Sequence, residues 1–287
     1  MKFLNLGCGR RYHPDWINID FQSHSDIVIA HNLLQGIPAK SNTYDLVYHS
    51  HLLEHVSKDH APKFLEECRR VLKPDGVLRV VVPDLEDIVQ QYMASLEQAL
   101  DGKPGWDTNY DWMMLELFDQ TVRQSSGGAM ADYLKQESIP NADFVIQRLG
   151  VEASRLMGAK TSNINRHPTG PSPSGVKQWV ETWVKPVYRF LRYSTYRRET
   201  MLKTLLGQEY ETLKLGRFRQ RGEVHQWMYD RYSLKRLLER CGFEDIVQRT
   251  ATESYIADWA SFNLDTEPDG SIYKPDSLFM EARNPPA

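Results

Sequence analysis

The length, composition and charge of the chain are those of a globular protein with one large domain or a core domain carrying an insertion. Of its 287 residues, 41% are hydrophobic and 25% are charged, which excludes a disordered chain. No apolar run approaches the roughly 20 residues that cross a bilayer, and the first residues lack the plan of a signal peptide, so we expect a cytoplasmic protein.

Short apolar runs alternate with helical patterns over the first third of the chain, which predicts strands joined by crossovers in a parallel sheet. The gap between Gly7 and Trp16 is shorter than a normal crossover, so we expect a turn in place of the first helix. The predicted strands are 2–6, 16–21, 26–30, 44–49 and 77–82, with a helix over 61–72 that stops at the turn Lys73–Gly76.

Beyond the fifth predicted strand, the pattern over residues 93–222 becomes helical and aromatic. Alternation then returns, with a helix over 233–240 and strands over 245–249 and 278–282. We therefore expect an α/β domain, formed by residues 1–92 and 223–287, in which helices cover both faces of a mostly parallel sheet. Residues 93–222 are expected to be an inserted helical cap over the substrate region.

The first predicted strand runs into Gly7-Cys8-Gly9, a loop whose backbone amides can approach a ligand closely. Asp20 ends the second strand, where a carboxylate accepts both hydrogen bonds of a ribose diol. A dinucleotide site needs a third glycine where Tyr12 stands and an acid about 20 residues after the loop, and a phosphate-binding loop needs Gly-Lys-Ser/Thr. The pattern favours a nucleoside without phosphates.

Several motifs, in this order, resemble those of class I S-adenosylmethionine-dependent methyltransferases, in the small-molecule group labelled type 11. The resemblance implies a Rossmann-like α/β fold, S-adenosyl-L-methionine as the cofactor and methyl transfer as the activity. The motifs are Leu4–Gly9, Asn18–Asp20, Tyr44–Val47, His51–Val56, Arg70–Gly76, Gly222–Asp230 and Lys274–Glu281.

The resemblance also implies where the cofactor lies. The glycine loop would pass under the methionine part, Asp20 would hold the ribose, and Asn32 would lie at the adenine edge, although turn geometry alone also explains Asn32. The implied cofactor contacts are Asn5, Gly7, Cys8, Gly9, Asp20, Phe21, Asn32, Leu33, His49 and Ser50.

Two features of the chain depart from that pattern or extend it. Asn5 and Asn32 stand where the family usually carries acids, and an amide oxygen still accepts a hydrogen bond from adenine. Arg10 and Arg11 fall in the shortened first loop, where pairing with the cofactor's carboxylate and ordinary surface exposure are equally good interpretations.

Histidines cluster after the fourth predicted strand, at the sheet edge where α/β proteins bind ligands. We interpret His51 as a candidate general base, with His49 and His225 as further catalytic candidates. Glu54 and His55 are expected to cap the next helix or to bond to nearby backbone.

The sequence predicts no metal site. Residues 51–55 match a metallopeptidase signature, His-x-x-Glu-His, but that signature requires a long helix and a third ligand elsewhere. Cys8, Cys68 and Cys241 are far apart and lack metal-ligand spacing, which also argues against a disulfide framework.

Residues 177–222 contain eleven Lys and Arg against four Asp and Glu, a net charge of +7 that leaves −10 for the rest of the chain. An amphipathic helical stripe runs through Val176, Val180, Trp183, Val187 and Phe190, and Pro186 must kink or divide it.

Three interpretations of this basic segment stay open. It is a helix packed on the sheet domain, a lid whose Arg189 and Arg192 attract an anionic acceptor, or a membrane-surface helix. The acidic balance of the whole chain argues against nucleic acid.

The sequence therefore predicts methyl transfer to a small-molecule acceptor, with a hydroxyl or carboxylate oxygen of an anionic or sugar-like compound favoured. Asp84, after the fifth strand, joins the two arginines as a candidate acceptor contact. The rival interpretation is a non-catalytic scaffold that binds S-adenosylmethionine with the same fold. The many polar groups after the fourth strand favour the enzyme.

Overall fold

The computed structural model describes residues 1–163 and 184–286. They divide into two compact units, one of Met1–Gly158 with Gly222–Ala287 and the other of Ala159–Arg221. The predicted boundary of the cap, at residue 93, stays a prediction. No helix in the described ranges is long and apolar enough to cross a membrane.

A seven-stranded sheet forms the centre of the first unit, with strand order β3-β2-β1-β4-β5-β7-β6. Neighbouring strands are parallel except in the two pairs that contain β7. The mostly parallel α/β fold is therefore confirmed. The strands are β1 (Phe3–Leu6), β2 (Ile17–Asp20), β3 (Val28–Ala30), β4 (Tyr44–Ser50), β5 (Leu72–Pro83), β6 (Glu244–Arg249) and β7 (Ser277–Arg283).

The described helices number ten. The helices are α1 (Ala61–Val71), α2 (Leu85–Leu100), α3 (Trp106–Val122), α4 (Gly128–Leu134), α5 (Ala142–Leu149), α6 (Val151–Asn163), α7 (Lys185–Arg192), α8 (Ser194–Leu206), α9 (Glu209–Arg219) and α10 (Arg231–Arg240).

One face of the sheet is covered by α1 and α10. The apolar positions of α1 recur at steps of three and four, so Phe64, Leu65 and Cys68 all point into the same core. Leu234 and Leu238 of α10 are buried in that core as well. This packing fixes β4 and β5 between two layers, which holds the ends of these strands in place.

The other face is covered mainly by the segment between β6 and β7. No helix joins β1 to β2, as the short gap predicts. Instead, Trp16, Tyr48 and Trp259 pack together, with the ring of Trp259 centred 5.4 Å from that of Tyr48. The fold thus fills the place of the first crossover helix with aromatic side chains from far along the chain.

Helices α2 to α5 form a smaller core of their own around Ile88, Trp112 and Met113. The buried guanidinium of Arg148 on α5 pairs with Glu116 on α3 and with Asp87 on α2. These charges hold three helices together beyond the carboxyl end of β5.

The second unit contains α7, α8 and α9. Glu199 on α8 pairs with Arg217 on α9 at 2.7 Å. Residues 164–183 lie outside the described residues, and with them Val176, Val180 and Trp183 of the predicted stripe. Of the remaining stripe positions, Val187 is exposed and Phe190 is half-buried.

Candidate active site

The order of the strands reverses between β1 and β4, and a cavity of about 250 Å³ opens where these two strands end. Such a switch point is where open α/β sheets bind ligands. We call this space the first cavity. It is lined by Asn5, Gly7, Cys8, Gly9, Arg10, Arg11, Tyr48, Ser50, His51, Arg155, Tyr273 and Lys274.

The loop Gly7-Cys8-Gly9 has a backbone conformation that favours glycine. Gly7 and Gly9 have φ angles of 64° and 53°, in the left-handed region that side chains disfavour. A Cβ atom on Gly7 would lie 2.9 Å from Leu52, whereas one on Gly9 would meet nothing within 4 Å. Gly7 is therefore required for packing, and Gly9 borders open space.

Asp20 binds this loop directly. Its Oδ2 accepts a hydrogen bond from the amide of Gly9 at 2.8 Å, and its Oδ1 accepts one from the amide of Gln22 at 3.2 Å. Each carboxylate oxygen has a second lone pair, so the group can still accept two hydrogen bonds from a diol.

The remaining predicted adenosine contacts lie at the ends of β2 and β3, outside the first cavity. Asn32 caps a short 3₁₀ turn by accepting a hydrogen bond from the amide of Leu34 at 3.1 Å, so turn geometry explains it. Leu33 packs against the core, and Phe21 is 68% exposed.

Asn5 supports the shortened connection between β1 and β2. Its side-chain amide donates to the carbonyl of Arg11 at 3.0 Å and to the side chain of Asn18 at 3.3 Å. Asn18 in turn donates to the carbonyls of His13 and Trp16. Two buried amides thus bind the backbone of a loop that has no helix.

The two arginines of the loop differ. Arg11 pairs with Glu267 at 3.0 Å, donates to the carbonyls of Leu264 and Thr266, and lies 3.8 Å from the centre of the Tyr273 ring. Arg10 also lines the first cavity, and its guanidinium has no ion-pair partner within the described part of the chain.

His51 follows β4 directly, in a position that suits a base. Its Nδ1 lies 3.2 Å from Oε1 of Glu54, a contact that is close enough for an ion pair but not aligned as a hydrogen bond. Its Nε2 lies 2.9 Å from the hydroxyl of Ser277. His51 has a φ of 50°, and non-glycine residues in this region cluster at functional sites.

His49 lies in the core and not in the cavity. Its side chain is fully buried, its ring packs on Phe64 with centroids 5.3 Å apart, and neither ring nitrogen has a hydrogen-bond partner among the described residues. Burial lowers the pKa of His49 to about 4. A direct contact with ligand has no support from this position, so we leave His49 out of the proposed catalytic set.

His225 is also buried, and it does not line the first cavity. Its ring packs edge-on against His55 with centroids 4.7 Å apart, and burial lowers its pKa to about 3. Beside the two rings lies the carboxylate of Glu54, which is completely buried. Glu54 and His55 do not cap the next helix, because α1 begins after His60, and they form a buried polar cluster with His225 instead.

A second cavity of about 200 Å³ shares His51 and Lys274 with the first. Lys274 pairs with Glu152 at 3.1 Å, and Arg123 pairs with Asp119 at 2.9 Å. The other lining residues are Pro83, Gln120, Gly127, Met130, Ala131, Leu134, Leu149, Leu156 and Asp276. Sequence reasoning missed these residues, although Lys274 and Asp276 belong to a motif that already stood out.

The three predicted acceptor contacts belong to different units of the fold. Asp84 caps α2, with its Oδ1 accepting hydrogen bonds from the amides of Glu86 and Asp87 at 3.0 and 3.4 Å. Arg189 and Arg192 are exposed on α7, in the second unit.

Residues 14–80 match a family model described as a methyltransferase domain. The probable methyltransferase ltbC of Aspergillus luteorubrus is 35% identical over 71 residues, which cover 24% of this chain and 23% of that protein. The matched stretch therefore spans about a quarter of the curated relative.

Two solved structures are similar over most of this chain. A SAM-dependent methyltransferase from Archaeoglobus fulgidus is 10% identical, with a TM-score of 0.35, and the match covers 98% of this chain and 85% of that one. The CurJ carbon methyltransferase is also 10% identical, with a TM-score of 0.35, and the match covers 99% of this chain and 48% of that one.

Residues 14–80 match a methyltransferase domain and the sheet has the mostly parallel α/β order predicted from the sequence, and both findings agree with the resemblance to class I S-adenosylmethionine-dependent methyltransferases and with S-adenosylmethionine as the implied cofactor. The residues present fit that cofactor. Gly9 leaves open space beside the loop, Asp20 retains acceptor capacity, and Arg10 is a cation without a described partner.

Proposed function

We propose that the protein transfers the methyl group of S-adenosylmethionine to an oxygen atom of a small-molecule acceptor. The observation that carries the proposal is the junction of the two cavities at His51 and Lys274. Donor and acceptor held on either side of this junction would meet at the reacting atoms. Holding two reactants in line accounts for a large part of the rate enhancement in such a displacement.

The first cavity is the proposed donor site. The loop from Gly7 to Gly9 would lie against the methionine part, Arg10 would pair with its carboxylate, and Asp20 would accept from the ribose hydroxyls. The bound cofactor supplies an already activated methyl group, so the chain has only to align it and to manage a proton.

The second cavity is the proposed acceptor site. His51 lines both cavities, with Nδ1 3.2 Å from Oε1 of Glu54 and Nε2 2.9 Å from the hydroxyl of Ser277. Nε2 would exchange Ser277 for the attacking hydroxyl of the acceptor in order to take its proton. Arg123 and Lys274 contribute positive charge, which suits a carboxylate or phosphate on the acceptor, although each already has an acidic neighbour.

The proposal is tested by incubating the full-length protein with S-adenosylmethionine and metabolite extracts, and by mass spectrometry for products that gain one methyl group. Calorimetry with S-adenosylhomocysteine gives an independent reading of the donor site. We expect methylated product, tight binding by the wild type, and binding weakened at least tenfold in Asp20→Ala.

The exposed Asp15 provides a matched control, since Asp15→Ala should bind as the wild type does. Equal binding by Asp20→Ala would refute the ribose assignment. Tight binding of S-adenosylhomocysteine with no methylated product from any extract would favour the non-catalytic scaffold.

A further inference from the structure

Glu54, His55 and His225 form a compact cluster that the methyl-transfer proposal does not use. Glu54 and His55 lie on a 3₁₀ turn after β4, and His225 lies on the segment that precedes α10. One ligand atom from each of the three side chains lies within 4.8 Å of the other two. Chain segments far apart in sequence thus bring two imidazoles and a carboxylate together.

The cluster contains buried polar atoms that make no hydrogen bond among the described residues. The side chain of Glu54 is 0% exposed, and neither carboxylate oxygen accepts a hydrogen bond within that part of the chain, although Nδ1 of His51 lies 3.2 Å and Nε2 of His55 lies 3.9 Å from Oε1. The Nδ1 atoms of His55 and His225 are buried and unpartnered too. Burying a carboxylate that accepts no hydrogen bond is costly, and buried charges are normally paired or bound to metal.

We propose that Glu54, His55 and His225 bind a divalent transition-metal ion, with Zn²⁺ the best match. Two histidines and one glutamate form a recurrent protein ligand set for zinc. Ca²⁺ and Mg²⁺ prefer sites built from oxygen atoms, so the two imidazoles disfavour them.

The geometry requires a modest closure on binding. Zinc bonds of about 2.0–2.2 Å in a tetrahedral site place ligand atoms roughly 3.3 Å apart, so the most distant pair must move closer. Rotation of the two imidazole rings, which already lie edge to face, can supply this movement. The side chain of His55 is 23% exposed, which gives the ion a way in from solvent.

The metal would join three parts of the fold. The backbone amide of Gln226 already donates to the carbonyl of Glu54, and the amide of His225 donates to the carbonyl of Gln120 on α3 at 2.9 Å. A metal held by His225 and the β4 turn would reinforce these bonds and fix the segment before α10. Glu54 also contacts His51, so the ion would help to hold the proposed base in its orientation.

The test uses full-length protein without a histidine tag, stripped of metal by chelation and then titrated with Zn²⁺ in a calorimeter. We expect one equivalent to bind and to raise the melting temperature. Titration with Co²⁺ should give visible absorption bands typical of a low-coordinate site with nitrogen ligands. Neither reading depends on methyl transfer, so failure of this proposal and failure of the proposed function are distinguishable.

Variants assign the ligands. Glu54→Gln and His225→Ala should each lower Zn²⁺ affinity at least tenfold and remove the Co²⁺ bands, whereas His24→Ala, at an exposed histidine, should change neither. The wild-type titration alone decides the question if a variant fails to fold. Absence of stoichiometric binding and of Co²⁺ bands in the stripped wild type would overturn the proposal, as would full binding by folded Glu54→Gln.

Discussion

His49 illustrates how a residue that looks catalytic in the sequence can instead be a feature of the core. It follows the pattern of polar residues at the end of β4, but strand alternation directs its side chain toward α1 and Phe64. A buried neutral histidine makes folding sensitive to acid, because the unfolded chain binds the proton that the native state excludes.

We therefore expect His49 to reduce stability at acidic pH. Its pKa is about 4 in the folded protein against an ordinary value of 6.5, so its contribution is fully present above pH 6.5 and is lost as the pH falls toward 4. The full loss corresponds to roughly 3 kcal/mol. His49→Met should unfold at a similar urea concentration at pH 7.5 and should lose less stability than the wild type at pH 5. An unchanged pH dependence in the variant would contradict this assignment.

His51 is the residue whose replacement should most affect turnover. A general base contributes roughly 10²–10⁴-fold, so we expect His51→Asn to lower turnover at least tenfold while cofactor affinity stays the same. Asparagine is chosen because it tolerates the left-handed backbone found here.

Steady-state rates across a pH series, with His24→Asn as the control, measure this effect. The wild-type rate should depend on pH, and that dependence should disappear in His51→Asn. A variant with full turnover and the same pH profile would show that transfer relies on alignment alone.

At the scale of elements, the sequence predicts most strands and the helices α1 and α10 well, because their apolar periods are regular. The predicted turn Lys73–Gly76 is wrong, since β5 begins at Leu72 and includes these residues, with an irregular register beside β4. The sequence also predicts the missing first helix from the length of the gap. It does not predict what covers the sheet instead. Nothing local in residues 250–266 signals that Trp259 packs on Tyr48, because the two meet only in the tertiary fold.

A buried charge network attaches that covering segment to the sheet. Arg79 in β5 is fully buried, pairs with Asp265 at 2.8 Å and with Glu281 at 3.0 Å, and donates to the carbonyls of Thr250 and Glu253. A single arginine within the apolar run 77–82 is the one signal of this network in the sequence.

Removal of this arginine should destabilise the fold strongly. Arg79→Met would remove the buried guanidinium that Asp265 and Glu281 share, leaving Asp265 with only the neutral donors Tyr48 and Trp259, and breaking such a buried pair costs about 3–5 kcal/mol. Urea unfolding measures the loss, and Lys135→Met, at an exposed ion pair, should change stability little. Equal stability of both variants would mean that the network contributes nothing net.

At the scale of the whole molecule, the sequence predicts the glycine loop that lines the first cavity, whereas most residues of the proposed acceptor site are ones that it does not predict. Asp84 caps a helix, whereas Arg123, Glu152 and Asp276 line the second cavity. These residues come from different helices and from the loop before β7. Their proximity depends on how the helices pack, and one sequence does not reveal that packing.

The basic second unit offers a prediction about charge. If its arginines attract an anionic acceptor, Arg189→Gln with Arg192→Gln should raise the KM of that acceptor severalfold without changing cofactor affinity. Added salt should weaken acceptor binding by the wild-type protein, since exposed charges act over only about 10 Å at 0.1 M salt. Kinetics at several salt concentrations, with the exposed Lys103→Gln as control, provide the measurement. A KM that responds to neither change would leave these arginines as solvated surface.

The attachment of Arg11 to residues 264–267 has a consequence for the order in which the molecule can form. The cofactor loop belongs to the first dozen residues, yet the groups that hold it belong to the last quarter of the chain. β7, which lies between β5 and β6, comes later still. During synthesis the loop therefore cannot gain these contacts until residues 264–267 have left the ribosome. Contacts so distant in sequence favour slow folding, so the proposed donor site would become able to bind its ligand only late in synthesis and folding.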